Sequence, residues 1–494
     1  MMATIASCNS DSNEVVDIEG DLGNCAVSSF SLAKDDSVLT RLDSVFFSID
    51  LPTGEIFNAD SLPVGTKIDK LIVKIGTASA KGCDLTFRIP GTDRDTTIDY
   101  IKSPKDSINF ADGPVKLLVT SYDGLSKYEY RIKVNVHTLK PDTLYWSEQA
   151  KRSLPTDINR PEAQKAVEYM GKAYCLTTGG GSATLAVSGD PFAGDWEMMH
   201  PALPADADVN SLTASSDALY MLDASGSLFK SADGLSWTAT GAHMNHIYGG
   251  YEASVIGARR DADGWKHVSY PATTEKPVPA GCPVRGTGQM VTYVTKWSST
   301  PMAIFVGGRD ASGVIVGSTW GYDGGTWAKI STRDMYEIED VVLFPYNTPR
   351  VDNSWRVSER SALIAMGGRY ETEEGTATDN LLFISYDQGL TWNQASDYLQ
   401  FKEGEPGFYG AQALVFNARL DASRSYDSGW IKAGEPTLPV WATPVPFTAS
   451  RVSKPVDEWD CPFIYLFGGY DESGQLRNSL WRGVIRRFTF RPLY

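Results

Sequence analysis

No stretch of the 494-residue sequence approaches the roughly 20 consecutive apolar residues that a membrane-spanning helix needs, so no helical bilayer crossing is written in it. Long amphipathic helical patterns are missing as well. Histidine is scarce, with five in the whole chain, which leaves little material for imidazole metal sites. The six cysteines are scattered and form no CxxC pair, which argues against zinc and against a dense disulfide framework. Basic residues are the minority: 45 Lys and Arg stand against 61 Asp and Glu, a formal net charge of −16. Such a surface repels phosphate backbones, so nucleic acid is not an expected partner. No P-loop, dinucleotide fingerprint or Ser/His/Asp order appears.

What is present points to β structure. The chain carries 23 Tyr, 13 Trp and 45 Gly, a mixture that suits short strands joined by tight turns. Its length calls for two or more domains. Between Cys25 and about Lys140 the residues alternate with period two, as in Ile68–Ile75, Val115–Thr120 and Tyr128–Val136. Several such half-buried strands in one stretch predict a β-sandwich. Cys25 and Cys83 fall inside it and are candidates to pair. Phe87-Arg88-Ile89-Pro90 reads as a strand end stopped by proline.

From about Asp142 a unit repeats: apolar strands, a Gly-Gly pair, a polar loop, an Asp/Gly turn and a strand carrying Trp. The clearest copies of the glycine pair are Gly307-Gly308, Gly367-Gly368 and Gly468-Gly469. Ser385-Tyr-Asp387-Gln-Gly389-Leu-Thr-Trp392 carries the turn, with shorter versions at Asp233 and Asp323. Asp should accept turn N–H groups, Gly should take a conformation that other residues resist, and Trp should pack between repeats. Six units are counted, around residues 164–200, 209–242, 243–283, 288–332, 338–398 and 410–490. Leu144-Tyr145-Trp146-Ser147 supplies the outer strand that the last unit lacks, which would close a ring and remove exposed edges.

These repeats resemble kelch repeats of galactose-oxidase-type propellers, and the turn resembles the Asp-box of sialidase-type propellers. The segment Ser121–Val134 resembles the final hairpin of immunoglobulin-like modules. At the start, Ile5-Ala6-Ser7-Cys8 and the polar run after it resemble a bacterial lipobox and its tether. A basic and apolar leader is expected ahead of it. The whole order resembles an uncharacterised lipoprotein family of the Bacteroidetes. The expected architecture is therefore all-β: a tether over 1–23, an immunoglobulin-like sandwich over 24–140 and a six-bladed kelch-type propeller over 141–494. The resemblance implies export and lipid anchoring at Cys8 in the cell envelope, at the outer membrane, with the membrane touched only through that anchor.

No complete catalytic set can be assembled from the sequence. His243-Met-Asn-His246 has metal spacing only on a helix, and its surroundings read as strand. No metal or other cofactor is expected. The residues after each Gly-Gly pair are expected to open onto the channel face. They are Arg309 and Asp310, Arg369 and Tyr370, and Tyr470 and Asp471. Arg and Tyr dominate recognition surfaces, and Tyr stacks on sugar rings. The arginines have a second possible role, pairing with acidic neighbours to tie blades together. Two inserts, Tyr346–Glu359 and the Trp-rich Arg419–Asp460, are expected to serve as functional loops. The expected function is non-catalytic binding of a glycan or protein ligand. The rival is a propeller enzyme acting on carbohydrate, such as a mutarotase, lyase or hydrolase.

Overall fold

A computed structural model describes residues 23–58, 61–136, 143–294, 300–351, 357–421 and 458–486. Cys8, Trp430 and Trp441 lie outside the described residues. The chain divides into two compact units, one before and one after residue 140. Both are almost entirely β; the helical elements described are two three-residue 3-10 turns, Leu42–Ser44 and Asp397–Leu399.

In the first unit Val27–Leu32 pairs with Val73–Thr77. A second sheet has six strands, in the order Ser48–Asp50, Glu55–Phe57, Lys127–Lys133, Val115–Ser121, Ala80–Arg88, Asp95–Asp99. Glu55–Phe57 runs parallel to Lys127–Lys133, and the other pairings are antiparallel. Alternation sets the core: Val115, Leu117 and Val119 are buried while Lys116 faces outward. They join Leu32, Ile56, Leu85 and Ile132 in one cluster. Arg88 ends its strand in an ion pair with Asp95 at 2.7 Å, so Phe87–Pro90 is a strand terminus here. Cys25 and Cys83 are both free thiols, and burial pushes Cys83 up to about 11.

The second unit is a tandem array of antiparallel sheets. Ala163–Tyr169, Lys172–Gly179, Ser182–Ser188 and Glu197–Met199 form one four-stranded sheet. The four strands from Ala207–Ala214 to Thr238–His243 form the next, and those from His246–Tyr251 to Glu275–Pro277 another. Met302–Asp310 and Ile315–Tyr322 centre the sheet that follows. Val342–Val351, Val357–Met366, Leu382–Ser385 and Asn393–Gln394 make the next. The last sheet is built from Gln412–Asp421, Glu458–Phe467, Leu480–Arg486 and, from far upstream, Thr143–Trp146. Trp146 stands opposite Gly483 in that pairing. First and last sheets also meet through Gln412, whose side-chain oxygen accepts from Gln164 Nε2 and from the Ala166 N–H, each at 2.9 Å.

The described ends of both inserts are strand, and residues 352–356 and 422–457 lie outside the described residues. Residues 346–351 and 357–359 are strand and not loop, because the two flanking strands pair out to Val351 opposite Val357. The strands around the second insert likewise pair out to Asp421 opposite Glu458. A ladder already under way continues at low cost, since each added residue satisfies its own backbone groups.

The Gly-Gly pairs have a local cause. Gly307 and Gly308 sit at φ +71 and +116, and a side chain at either would strike backbone oxygens of Ile338 or Arg285. The space lets the segment from the next sheet come alongside, and Gly308 N–H donates to Ile338 O at 2.8 Å. Gly368 repeats this bond onto Phe408 O at 2.7 Å. The turn signature is realised at Asp387, which accepts from Thr391 N–H at 2.9 Å and Thr391 Oγ1 at 2.6 Å. The buried Trp392 that follows reaches the preceding sheet, donating from Nε1 to Thr319 Oγ1 at 2.8 Å.

Candidate functional site

A polar cavity of about 920 Å³ opens among the sheets of the second unit. Its walls come from the first strand of several sheets and from the residues that follow the glycine pairs. Lys165, Asp208 and His246 lie on three such first strands. Arg309, Arg369 and Tyr470 follow Gly308, Gly368 and Gly469, and all three line the cavity.

Their neighbours do not. Asp310 turns into its own hairpin and accepts from the N–H groups of Ser312 at 2.9 Å and Val314 at 3.0 Å. Asp471 does the same with Ser473 and Gln475, at 2.9 and 3.0 Å. Tyr370 meets the Tyr336 ring edge-on, with centroids 5.7 Å apart. Strand alternation explains the split: adjacent side chains leave on opposite faces, so one residue after each glycine pair meets the cavity and the next leaves it.

The arginines are held by carboxylates. Arg309 grips Glu339 with two bonds, Nε to Oε2 at 2.6 Å and Nη2 to Oε1 at 2.8 Å, and reaches Glu371 at 2.7 Å. Arg369 lies 3.0 Å from the same Glu339 and 2.9 Å from Asp340. Its guanidinium also sits 4.7 Å from the centre of the Tyr409 ring. Tyr409 and Tyr470 have centroids 5.6 Å apart, and Tyr470 donates its hydroxyl to Asn210 Oδ1 at 2.9 Å. On the other side His246 Nε2 and Thr287 Oγ1 are 2.7 Å apart. These contacts form a polar belt that ties successive sheets together around the cavity.

Burial shapes the charges within it. It lowers the Lys165 ammonium below its ordinary value, opposed by the charges of Asp340 and Asp208. It raises Asp208, opposed by the Asn210 N–H bond and by Lys165. Asp340 is raised by burial, with Arg369 opposing and Glu339 adding to it. His246 is brought down to about 4 by burial, with Lys165 adding to it, and is neutral at physiological pH. Among the described residues no cluster of three or more His, Cys, Asp or Glu could hold a metal ion.

Sequence reasoning missed Lys165, Asp208, Glu339, Asp340 and Tyr409. A usable signal existed at Glu339-Asp340, a doubly acidic step wedged between Ile338 and the apolar run Val341-Val342-Leu343. Lys165, between the buried Gln164 and Ala166, is a second: a cation on a strand whose other positions are mostly buried.

A beta propeller domain model of the DUF6242 family matches residues 140–493, and the model of its N-terminal domain, of unknown function, matches residues 23–134. The chain belongs to the DUF6242 family. No curated protein matches it. Among solved structures, YCF48 bound to D1 peptide is 12% identical, over 76% of this chain and 87% of that one, with a TM-score of 0.29. BamB from Moraxella catarrhalis is 10% identical, over 71% of this chain and 100% of that one, with a TM-score of 0.27. Likenesses this distant carry no argument about the ligand of the DUF6242 propeller.

Proposed function

We propose that this chain is a non-catalytic cell-envelope lipoprotein that binds a glycan or protein ligand in the polar cavity of a six-bladed, kelch-type propeller. In this reading the first unit is an immunoglobulin-like spacer and Cys8 carries the lipid that holds the protein at the outer membrane. The observation that carries it is the cavity itself: it is large enough for a ligand and is walled by charged and aromatic groups drawn from several sheets. Arg309, Arg369 and Tyr470 reach it, as a binding face requires. The test is binding of the soluble chain to an array of glycans and surface proteins, repeated with Tyr470→Ala. Ligand binding that ignores every cavity substitution refutes the location. For the anchor, the full precursor should enter the detergent phase and lose this on Cys8→Ala. Equal partitioning of both forms refutes lipidation.

One observation favours the rival reading, an enzyme acting on carbohydrate. Asp208 and Asp340 are both shifted toward the protonated form and both act on Lys165, which gives the cavity groups suited to proton transfer. Product release from an oligosaccharide by the wild type, abolished in Asp208→Asn, would establish it.

A further inference from the structure

Four charged groups of the cavity lining are committed to one another, while Glu162, Glu168 and Arg285 line it without an ion pair among the described residues. Glu339 and Glu371 hold Arg309, Glu339 and Asp340 hold Arg369, and the neutral His246 is held by Thr287. Lys165 is an uncommitted cation on the first strand of its sheet. Among the described residues its ammonium makes no hydrogen bond or ion pair, and the more distant charges of Asp340 and Asp208 act on it. Asp208 is in a similar position: its carboxylate accepts the Asn210 N–H at 3.1 Å and is otherwise open to the cavity.

A ligand that displaces water here must satisfy both groups. Lysine donates and cannot accept, whereas an ionised carboxylate accepts and cannot donate. An apolar ligand would leave both unpaired, which is costly. A ligand carboxylate would suit Lys165 but would meet the like charges of Asp208 and Asp340. A ligand ammonium would suit the aspartates and repel Lys165. A hydroxyl group meets both demands, because it accepts from one neighbour and donates to the other. Tyr409 and Tyr470 add aromatic surface to the same wall, against which a ring can rest.

We propose that the cavity binds an uncharged sugar residue whose hydroxyls accept from Lys165 and donate to Asp208. This deepens the ligand-binding reading above and rests on it. The full chain is titrated calorimetrically with neutral gluco-, galacto-, manno- and xylo-oligosaccharides, with uronate oligosaccharides, and with a mixed peptide library. At least one neutral oligosaccharide should bind. Lys165→Met and Asp208→Asn should each weaken it about tenfold or more, the loss of one charge-assisted contact. Lys165→Met should not lower the melting temperature, because the free protein gives that ammonium no partner to lose. Binding by uronates or peptides alone overturns the sugar assignment and leaves the cavity as a binding site. Neutral-sugar binding that survives both substitutions overturns the contacts to Lys165 and Asp208 and with them this placement of the sugar. Failure of every probe to bind the wild type overturns both this inference and the reading beneath it.

Discussion

Arg309 and Glu339 join sheets that follow one another in the chain through a two-pronged contact, with Nε 2.6 Å from one carboxylate oxygen and Nη2 2.8 Å from the other. Glu339 is only 2% exposed, so the guanidinium is the main compensation for a buried charge. Of the two roles open to this arginine from sequence, the geometry gives it the tying one, whatever it also offers a ligand.

Arg309→Ala should therefore lower folding stability by about 3 kcal/mol, the low end for a stranded buried carboxylate, because Arg369 remains beside Glu339. Arg309→Lys keeps the charge and loses the fork, and should fall between. Urea unfolding of both variants measures this. An unchanged midpoint for Arg309→Ala would exclude the tying role.

Ring closure makes a second prediction. Thr143–Trp146 forms the outer strand of the last sheet, and Trp146 is 5% exposed. Removing residues 1–138 should leave the melting of the second unit intact. Removing residues 1–150 should depress it strongly, since it deletes a strand and a buried Trp, about 3–5 kcal/mol for the Trp alone. Superimposable melting curves for the two truncations would contradict the closure.

The turn at Asp387 is expected to contribute stability and no specificity. Asp387→Ala loses bonds to Thr391 and should cost about 1–2 kcal/mol. Trp392→Ala empties a buried position and should cost about 3–5 kcal/mol. Calorimetric melting reads both, and any ligand affinity should be unaffected in the fraction that remains folded.

Acid should destabilise the second unit through its histidines. Burial brings His246 and His267 each down to about 4 from an ordinary value of 6.5. A lowered folded value means that the unfolded chain binds the proton first. Their stability is therefore fully present above pH 6.5 and declines as pH falls toward 4, by up to about 1.4 kcal/mol per pH unit for each. His267, at 7% exposure, carries the clearer share. Unfolding free energy measured from pH 7 to 4 should slope less in His267→Gln than in the wild type. Equal slopes would refute the assignment.

Local pattern alone was enough to mark the tandem β units of the second unit, the Asp387 turn and the returning strand at Leu144–Trp146. Each is a short-range matter of alternation, turn chemistry or a glycine that must leave room. The same local reading over-extended the strand near Ile68, which the structure begins at Val73, and took residues 346–351 and 357–359 for loop where a ladder continues. It also could not divide the pairs after Gly-Gly. Arg309 and Asp310, adjacent in sequence, part ways because strand alternation sends one toward Glu339 and the other back into its hairpin. The grouping of Lys165, Asp208, His246, Asp340 and Tyr470 around one cavity lies beyond any local signal. These residues are separated by up to about 300 positions, and only the pairing of whole sheets brings them to a common wall. Their altered acidities follow from that burial, a property of the assembled walls that no residue carries by itself.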